Sequence, residues 1–234
     1  MNIVLTLSRS VDGEWLQAVQ KQAMTLSARI FIRAAHSIAV LFLLVSTSCA
    51  GTKSAPPGPR STVEAARTSL LEMMRLDQAV QFDPSSNPID ELHNQRIDQQ
   101  FADDVPKLEG ILNEFGWPSR GVFGDEASKA AFLIAQHADR FPEFQRRCLN
   151  LLADAVTKSD ASPTDFAFLT DRVLKNAGEP QRFGTQWDGD ELWPIGEPER
   201  IEQRRASVGL NTLAAQRADH QALLEHLRAA YHIQ

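Results

Sequence analysis

The sequence predicts a mainly α fold: a single helical domain of about seven or eight helices with one β-hairpin packed on it. Three observations point there. Between residues 61 and 178, apolar side chains recur at three- and four-residue spacing in segment after segment, the period of helices that bury one face. Those segments are bounded by residues that start and stop helices, Ser, Asp and Pro before them and Gly after. Only one stretch, near 181–195, changes to alternation around an Asp-Gly turn.

The elements follow in order. Ser61 with Glu64 makes a capping box, and Ala66, Leu70, Met73, Met74, Asp77 and Val80 then share a helical face. The turn FDPSSNP ends that helix. Asn87 and Pro88 start a second helical region over about 88–115, bent near Pro106 and stopped by Gly116. The loop WPSRGVFG leads to Asp125 as the N-cap of a helix through AAFLIAQH. Pro142 suits the first turn of the next, where Phe144, Cys148, Leu151, Leu152 and Ala155 lie on one face. Ser162, Pro163 and Asp165 open a helix that Gly178 ends. Then Gln181, Phe183, Thr185 and Trp187 alternate with Arg182, Gly184 and Gln186, and Asp188-Gly189 turns the chain toward Leu192, Trp193 and Ile195. A lone hairpin is marginal, so it must lie on the helices. Pro198 opens a helix stopped near Gly209, and a last amphipathic helix covers about 212–231.

Ahead of the domain, residues 1–48 read as a secretory signal, with Met24 a candidate true start. Arg29 and Arg33 precede the apolar segment Ile38 to Val45, which is shorter than the roughly 20 apolar residues of a membrane-spanning helix. Small residues then lead to Cys49. That order resembles a bacterial lipobox, in which the cysteine is acylated and becomes the mature N-terminus, although Ser46 stands where an aliphatic residue is usual. Residues 49–60, rich in small residues and proline, read as a disordered tether, and 61–234 as the domain. The expected location is the bacterial cell envelope, lipid-anchored outside the cytoplasm, with no other hold on the membrane.

Charge narrows the partners. Removal of the signal takes four basic and two acidic residues from totals of 24 and 30, leaving a balance of −8. Such a surface repels polyanions, so nucleic acid is not an expected partner. With Cys49 acylated, Cys148 has no thiol to pair with, and its place on an apolar face suits a buried structural thiol better than a nucleophile.

Polar residues at core positions carry the functional argument. At about 100° per residue, His137 projects between Leu133 and Ile134, and Gln136 and Asp139 flank Phe132. Asp77 faces inward behind Leu70, Met73 and Met74. An ionised carboxylate buried there needs a partner, and His137, Arg172, Arg204 and Arg205 are candidates. Two readings stay open: a satisfied network that sets helix register, or a pocket in which a carboxylate orients a catalytic or ligating imidazole. His220, His226 and His232 step round their helix roughly 120° at a time and cannot converge on a metal. No phosphate loop, Gly-x-Ser-x-Gly elbow or Cys-x-x-Cys occurs, so neither metal nor cofactor is expected. Gly184, inside an alternating stretch, marks a bulge or a close approach to the backbone.

Asp77-Gln78, Gly116-Trp117-Pro118, Gln136-His137-Ala138-Asp139, Leu169-Thr170-Asp171-Arg172, Gln181 with Phe183-Gly184-Thr185-Gln186, and Arg205 with Gly209-Leu210 together resemble a bacterial family, domain of unknown function 6624, over about residues 65–215. Phe183 and Phe141 depart from the tyrosine and the polar cap expected at those positions, and the first removes phenol chemistry. The resemblance implies no reaction. A signature of Gln, His, Asp and Arg rather than leucines does imply a shared pocket. The resulting expectation is a binding or interaction module, its partner a small molecule or an envelope protein, with Asp77, Gln136, Asp139, Arg172 and Gln186 as binding residues. The rival is a hydrolase with His137 as general base, Asp77 or Asp171 orienting it and Gln186 or Arg172 stabilising developing charge. A third reading is a purely structural envelope protein.

Overall fold

A computed structural model describes residues 59–81 and 91–231, with side chains over 62–80 and 91–225. The signal, the lipobox, residues 49–58 of the tether, the FDPSSNP turn and the Asn87-Pro88 cap lie outside the described residues, while Pro59 and Arg60, expected in the tether, belong to the first helix. Eight α-helices and one hairpin are present among them: α1 (Pro59–Gln81), α2 (Glu91–Phe115), α3 (Arg120–Phe123), α4 (Asp125–His137), α5 (Pro142–Thr157), α6 (Pro163–Asn176), β1 (Trp187–Asp188), β2 (Glu191–Leu192), α7 (Ile201–Ser207) and α8 (Leu213–Tyr231). The mainly helical prediction is met. Among the described residues no helix is long and apolar enough to cross a membrane.

The hub is α4. Ala130 through Gln136 are all buried, Phe132 and Ile134 completely, so this helix is covered on every side. It packs against α1, α2, α3, α5 and α6. Burying each large apolar side chain of α4 contributes about 1.5–3 kcal/mol, which makes this one helix the centre of the core. Its flank is tied down as well, since the Trp117 indole donates to Ser128 Oγ at 3.4 Å.

Several boundaries differ from the sequence expectation. Helix α1 begins at Pro59, so Ser61 lies within it rather than capping it. Pro106 sits inside a continuous α2. Gly124 at φ 82 is the N-cap of α4, and Asp125 opens the first turn, where its carboxylate meets the Arg120 guanidinium at 2.5 Å. Ser162 does cap α6, accepting from the Asp165 N–H.

The larger correction concerns 181–186, expected as a strand. Only Trp187–Asp188 and Glu191–Leu192 pair as antiparallel strands, and the two loop residues are Gly189 and Asp190, one step beyond the expected Asp-Gly turn. Gly189 at φ 62 takes the first loop position, as a two-residue turn of type II′ demands. Residues 182–185 form an irregular loop because the Asp171 carboxylate takes the N–H groups of Arg182, Phe183 and Thr185, while Gln181 makes a single parallel bridge with Ile195. Gln181 closes the loop: its Oε1 accepts from Gln186 N–H at 2.7 Å, and its Nε2 donates to the carbonyls of Gln186 and Trp193 at 3.0 and 2.6 Å. Gly184 holds φ 71 with the methyl groups of Leu213 and Ile195 2.9 and 3.3 Å from where a Cβ would stand. The close approach expected there is made by the first residue of α8.

Candidate functional site

Helix α4 ends at His137. Ala138 leaves the helical region at ψ 46, and the Asp139 N–H turns back to the His137 carbonyl at 2.8 Å. Asp139 therefore lies just past the helix rather than on it. This break delivers Gln136, His137 and Asp139 to one end of the core in three different directions.

His137 meets α1. Its Nδ1 lies 3.0 Å from Asp77 Oδ1, with the aspartate side chain fully buried and the imidazole 14 % exposed. Asp77 Oδ2 accepts from Gln78 Nε2 at 2.7 Å. The Phe101 ring stands edge-on to the imidazole, centroids 5.8 Å apart. Of the four partners considered for Asp77, His137 is the one the fold brings to it.

Asp139 meets α6. Arg172 Nε donates to Asp139 Oδ1 at 2.7 Å and its terminal nitrogen to Oδ2 at 2.5 Å, a two-point pairing that fixes a planar guanidinium against a carboxylate. The other terminal nitrogen donates to Gln186 Oε1 at 3.1 Å. Arg172 is 2 % exposed against 35 % for Asp139, so the guanidinium is the member that depends on the pair. Burial alone would raise the Asp139 pKa; the Arg172 charge and hydrogen bonds, with help from Asn176 and the nearby His137, outweigh it and hold the carboxyl below its ordinary value.

Two residues escaped the sequence reading. Gln145 of α5 donates through one nitrogen toward the carbonyls of Ala135 and Gln136 at 3.1 and 3.2 Å and toward Asp139 at 3.3 Å. It thereby covers carbonyls that a helix end leaves unsatisfied. Asn176, the last residue of α6, bridges Asp139 Oδ1 and Gln145 Oε1, each at 2.9 Å. A signal existed for Gln145, which shares helical spacing with Cys148, Leu152 and Ala155 and is as buried as they are. For Asn176 no pattern in the chain gives notice.

Asp171 was expected beside His137, and the structure engages it elsewhere. Its Oδ1 accepts from the N–H groups of Arg182 and Phe183 at 2.7 and 2.9 Å. Its Oδ2 accepts from Thr185 N–H and Oγ1, both at 3.0 Å, and from Phe183 N–H. Burial pushes this carboxyl above its ordinary value, opposed by those same donors. Both oxygens act only as acceptors, from three backbone N–H groups and one hydroxyl, so the carboxylate is the form the loop is built around. On the far side Arg205, fully buried, donates to the Phe183 carbonyl at 2.6 Å and to Asn211 and Gln216. The loop is thus held by an anion on its N–H side and a cation on its carbonyl side.

His137, Asp171 and Gln186 therefore do not form one cluster. Gln186 reaches the α4 end through Arg172 and Asp139, and Asp171 belongs to the loop. Two atoms stand apart from all these pairings: the Oε1 of Gln136, a residue 2 % exposed, and the Oε1 of Gln78, both buried with no hydrogen-bond partner among the described residues. Cys148 is fully buried, and burial pushes its thiol up to about 12, which removes thiolate chemistry at neutral pH. Among the described residues no group of three His, Cys, Asp or Glu side chains is placed to hold a metal. His220 lies against Gly189 O at 2.9 Å and stacks on Trp187, while the His226 side chain and His232 lie outside the described residues.

Comparison with known proteins gives one match. The model of DUF6624, a family of unknown function, matches residues 65–227. No curated protein and no solved structure matches.

Proposed function

The chain belongs to the DUF6624 family, and we propose that within it the domain is a ligand-binding module whose polar site lies at the C-terminal end of α4. The carrying observation is the buried, unpartnered Oε1 of Gln136, the residue that precedes His137 of the Asp–His pair. Buried polar atoms in folded proteins are nearly always hydrogen-bonded, and the exceptions call for an explanation. A ligand bearing an N–H or O–H donor supplies the missing partner. The residues assigned are Gln136, His137 and Asp77 toward the ligand, with Asp139, Arg172 and Gln186 holding the turn that presents them. The test is the stability of Gln136→Met: a group kept for a ligand rather than for the fold is one whose loss the fold tolerates or gains from.

A second reading shares this site. An imidazole held through Nδ1 by a buried carboxylate is the arrangement that makes Nε2 a general base, and the 3.0 Å Asp77 contact favours a hydrolytic reaction at His137. In that case Asp77 is the orienting group. Asp171 has no part, being engaged by the loop.

For location we carry forward the sequence reading of a bacterial envelope protein anchored by a lipid on Cys49, its partner a small molecule or an envelope protein. Metabolic labelling with a palmitate analogue is expected to mark the wild type and to leave Cys49→Ala unmarked. An unlabelled wild type contradicts the anchor.

A further inference from the structure

We infer that the cleft between the end of α6 and α7 is a second binding site, for a small organic anion bearing carboxylate or phosphate groups, separate from the site at the end of α4. The cleft has a volume of about 450 Å³, and Arg182, Arg200 and Arg204 line it with Glu197 as the one acidic side chain. A volume of that order suits a small molecule. Leu174 and Pro180 give it an apolar wall.

The charge is the first argument. Three guanidinium groups against one carboxylate make this a positive cleft on a chain whose formal net charge is −6. Low-dielectric walls around like charges focus the field and concentrate counter-ions. Guanidinium groups are also the side chains best shaped to take an oxyanion at two points. Arg182 is exposed, with its guanidinium 5.9 Å from the centroid of the Phe183 ring.

Geometry is the second argument. Arg204 donates to the carbonyls of Gly196 and Glu197, while its Nε is buried and has no acceptor. Glu197 adopts φ 49 and ψ 63, a left-handed conformation that a residue with a side chain rarely takes. That turn points its carboxylate at Arg200 and Arg204, 3.3 and 3.6 Å away. Backbone held in such a conformation clusters at ligand sites. Glu197 is 61 % exposed, so water screens its ion pairs and its carboxylate serves as a weak internal occupant that an incoming anion displaces.

Calorimetric titration of the full chain at low ionic strength, with citrate and inorganic phosphate as probes, tests the inference. Saturable binding of at least one probe is expected, and which probe binds tells carboxylate from phosphate. The double variant Arg182→Gln/Arg200→Gln is expected to weaken it at least ten-fold; both side chains are exposed, and circular dichroism checks that the variant folds. Glu197→Gln is expected to strengthen it, a gain that a purely structural glutamate does not produce. His137→Gln is expected to leave it unchanged, which separates this site from the one at α4. No saturable binding of either probe, or equal affinity in wild type and double variant, overturns the inference.

Discussion

Replacing Asp171 by alanine is expected to lower stability by about 4–5 kcal/mol, at the upper end of what a single substitution does. The buried carboxylate accepts the N–H groups of Arg182, Phe183 and Thr185 together with the Thr185 hydroxyl. No other group is in place to take them. Each buried donor left unsatisfied costs about 1–3 kcal/mol, and three backbone donors are stranded together. The loop also carries Gly184, against which α8 begins, and Gln181, which closes the hairpin, so the damage spreads to both. For a domain of this size the melting temperature falls by about 2–4 °C per kcal/mol, hence by roughly 8–20 °C. Thermal unfolding followed by far-UV circular dichroism measures the fall. A melting temperature within about 3 °C of wild type would show that the loop does not depend on this carboxylate.

The second large effect belongs to Asp139→Ala. Arg172 is 2 % exposed and has its guanidinium held by both oxygens of Asp139. Removing the carboxylate leaves a buried cation with Gln186 Oε1 alone. Breaking one side of a buried pair costs about 3–5 kcal/mol. Because Asp139 is about one-third exposed and water screens the pair, about 2–4 kcal/mol is expected, read as the shift of a urea unfolding midpoint. The pH dependence has a definite sign. The Asp139 pKa is depressed in the folded chain, so its contribution is complete above the ordinary carboxylate pKa near 4 and disappears as pH falls through the folded value. Wild type and Asp139→Ala should therefore converge in stability at acid pH. A gap that persists unchanged at pH 2 would mean that packing, not charge, is what the substitution removes.

The helices were legible because each carries its own evidence. Spacing such as Phe144, Cys148, Leu152 and Ala155 specifies one buried face whatever the rest of the chain does, and Ser162 or Gly116 marks an end locally. Residues 181–186 were not legible for the opposite reason. Alternation of Gln181, Phe183, Thr185 and Trp187 describes a strand, and it equally describes a loop whose N–H groups turn toward a carboxylate 11 to 14 residues away. Only the position of α6 decides between them. The polar residues show the same division. Inward projection of Asp77, Gln136 and His137 follows from helical rotation, but the pairing of Asp77 with His137, and of Arg172 with Asp139, depends on how α1 and α6 sit against α4. Asp171 misled because it entered through the family signature, and a signature aspartate reads alike whether it meets an imidazole or a loop. Gln145 was hidden by its company of apolar neighbours.

Once these pairings are assigned, most of the buried polar groups near α4 have partners that explain them through the fold. Gln136 does not. On the proposed reading, Gln136 Oε1 stays without a partner for the sake of a ligand, at some expense in stability. The direct test is the melting temperature of Gln136→Met, an unbranched apolar side chain of similar length. A rise of about 2–5 °C is expected, since the substitution removes a desolvated acceptor from a fully packed helix and breaks no hydrogen bond of that atom. A fall of similar size would make Gln136 a structural residue and contradict a ligand site at the end of α4.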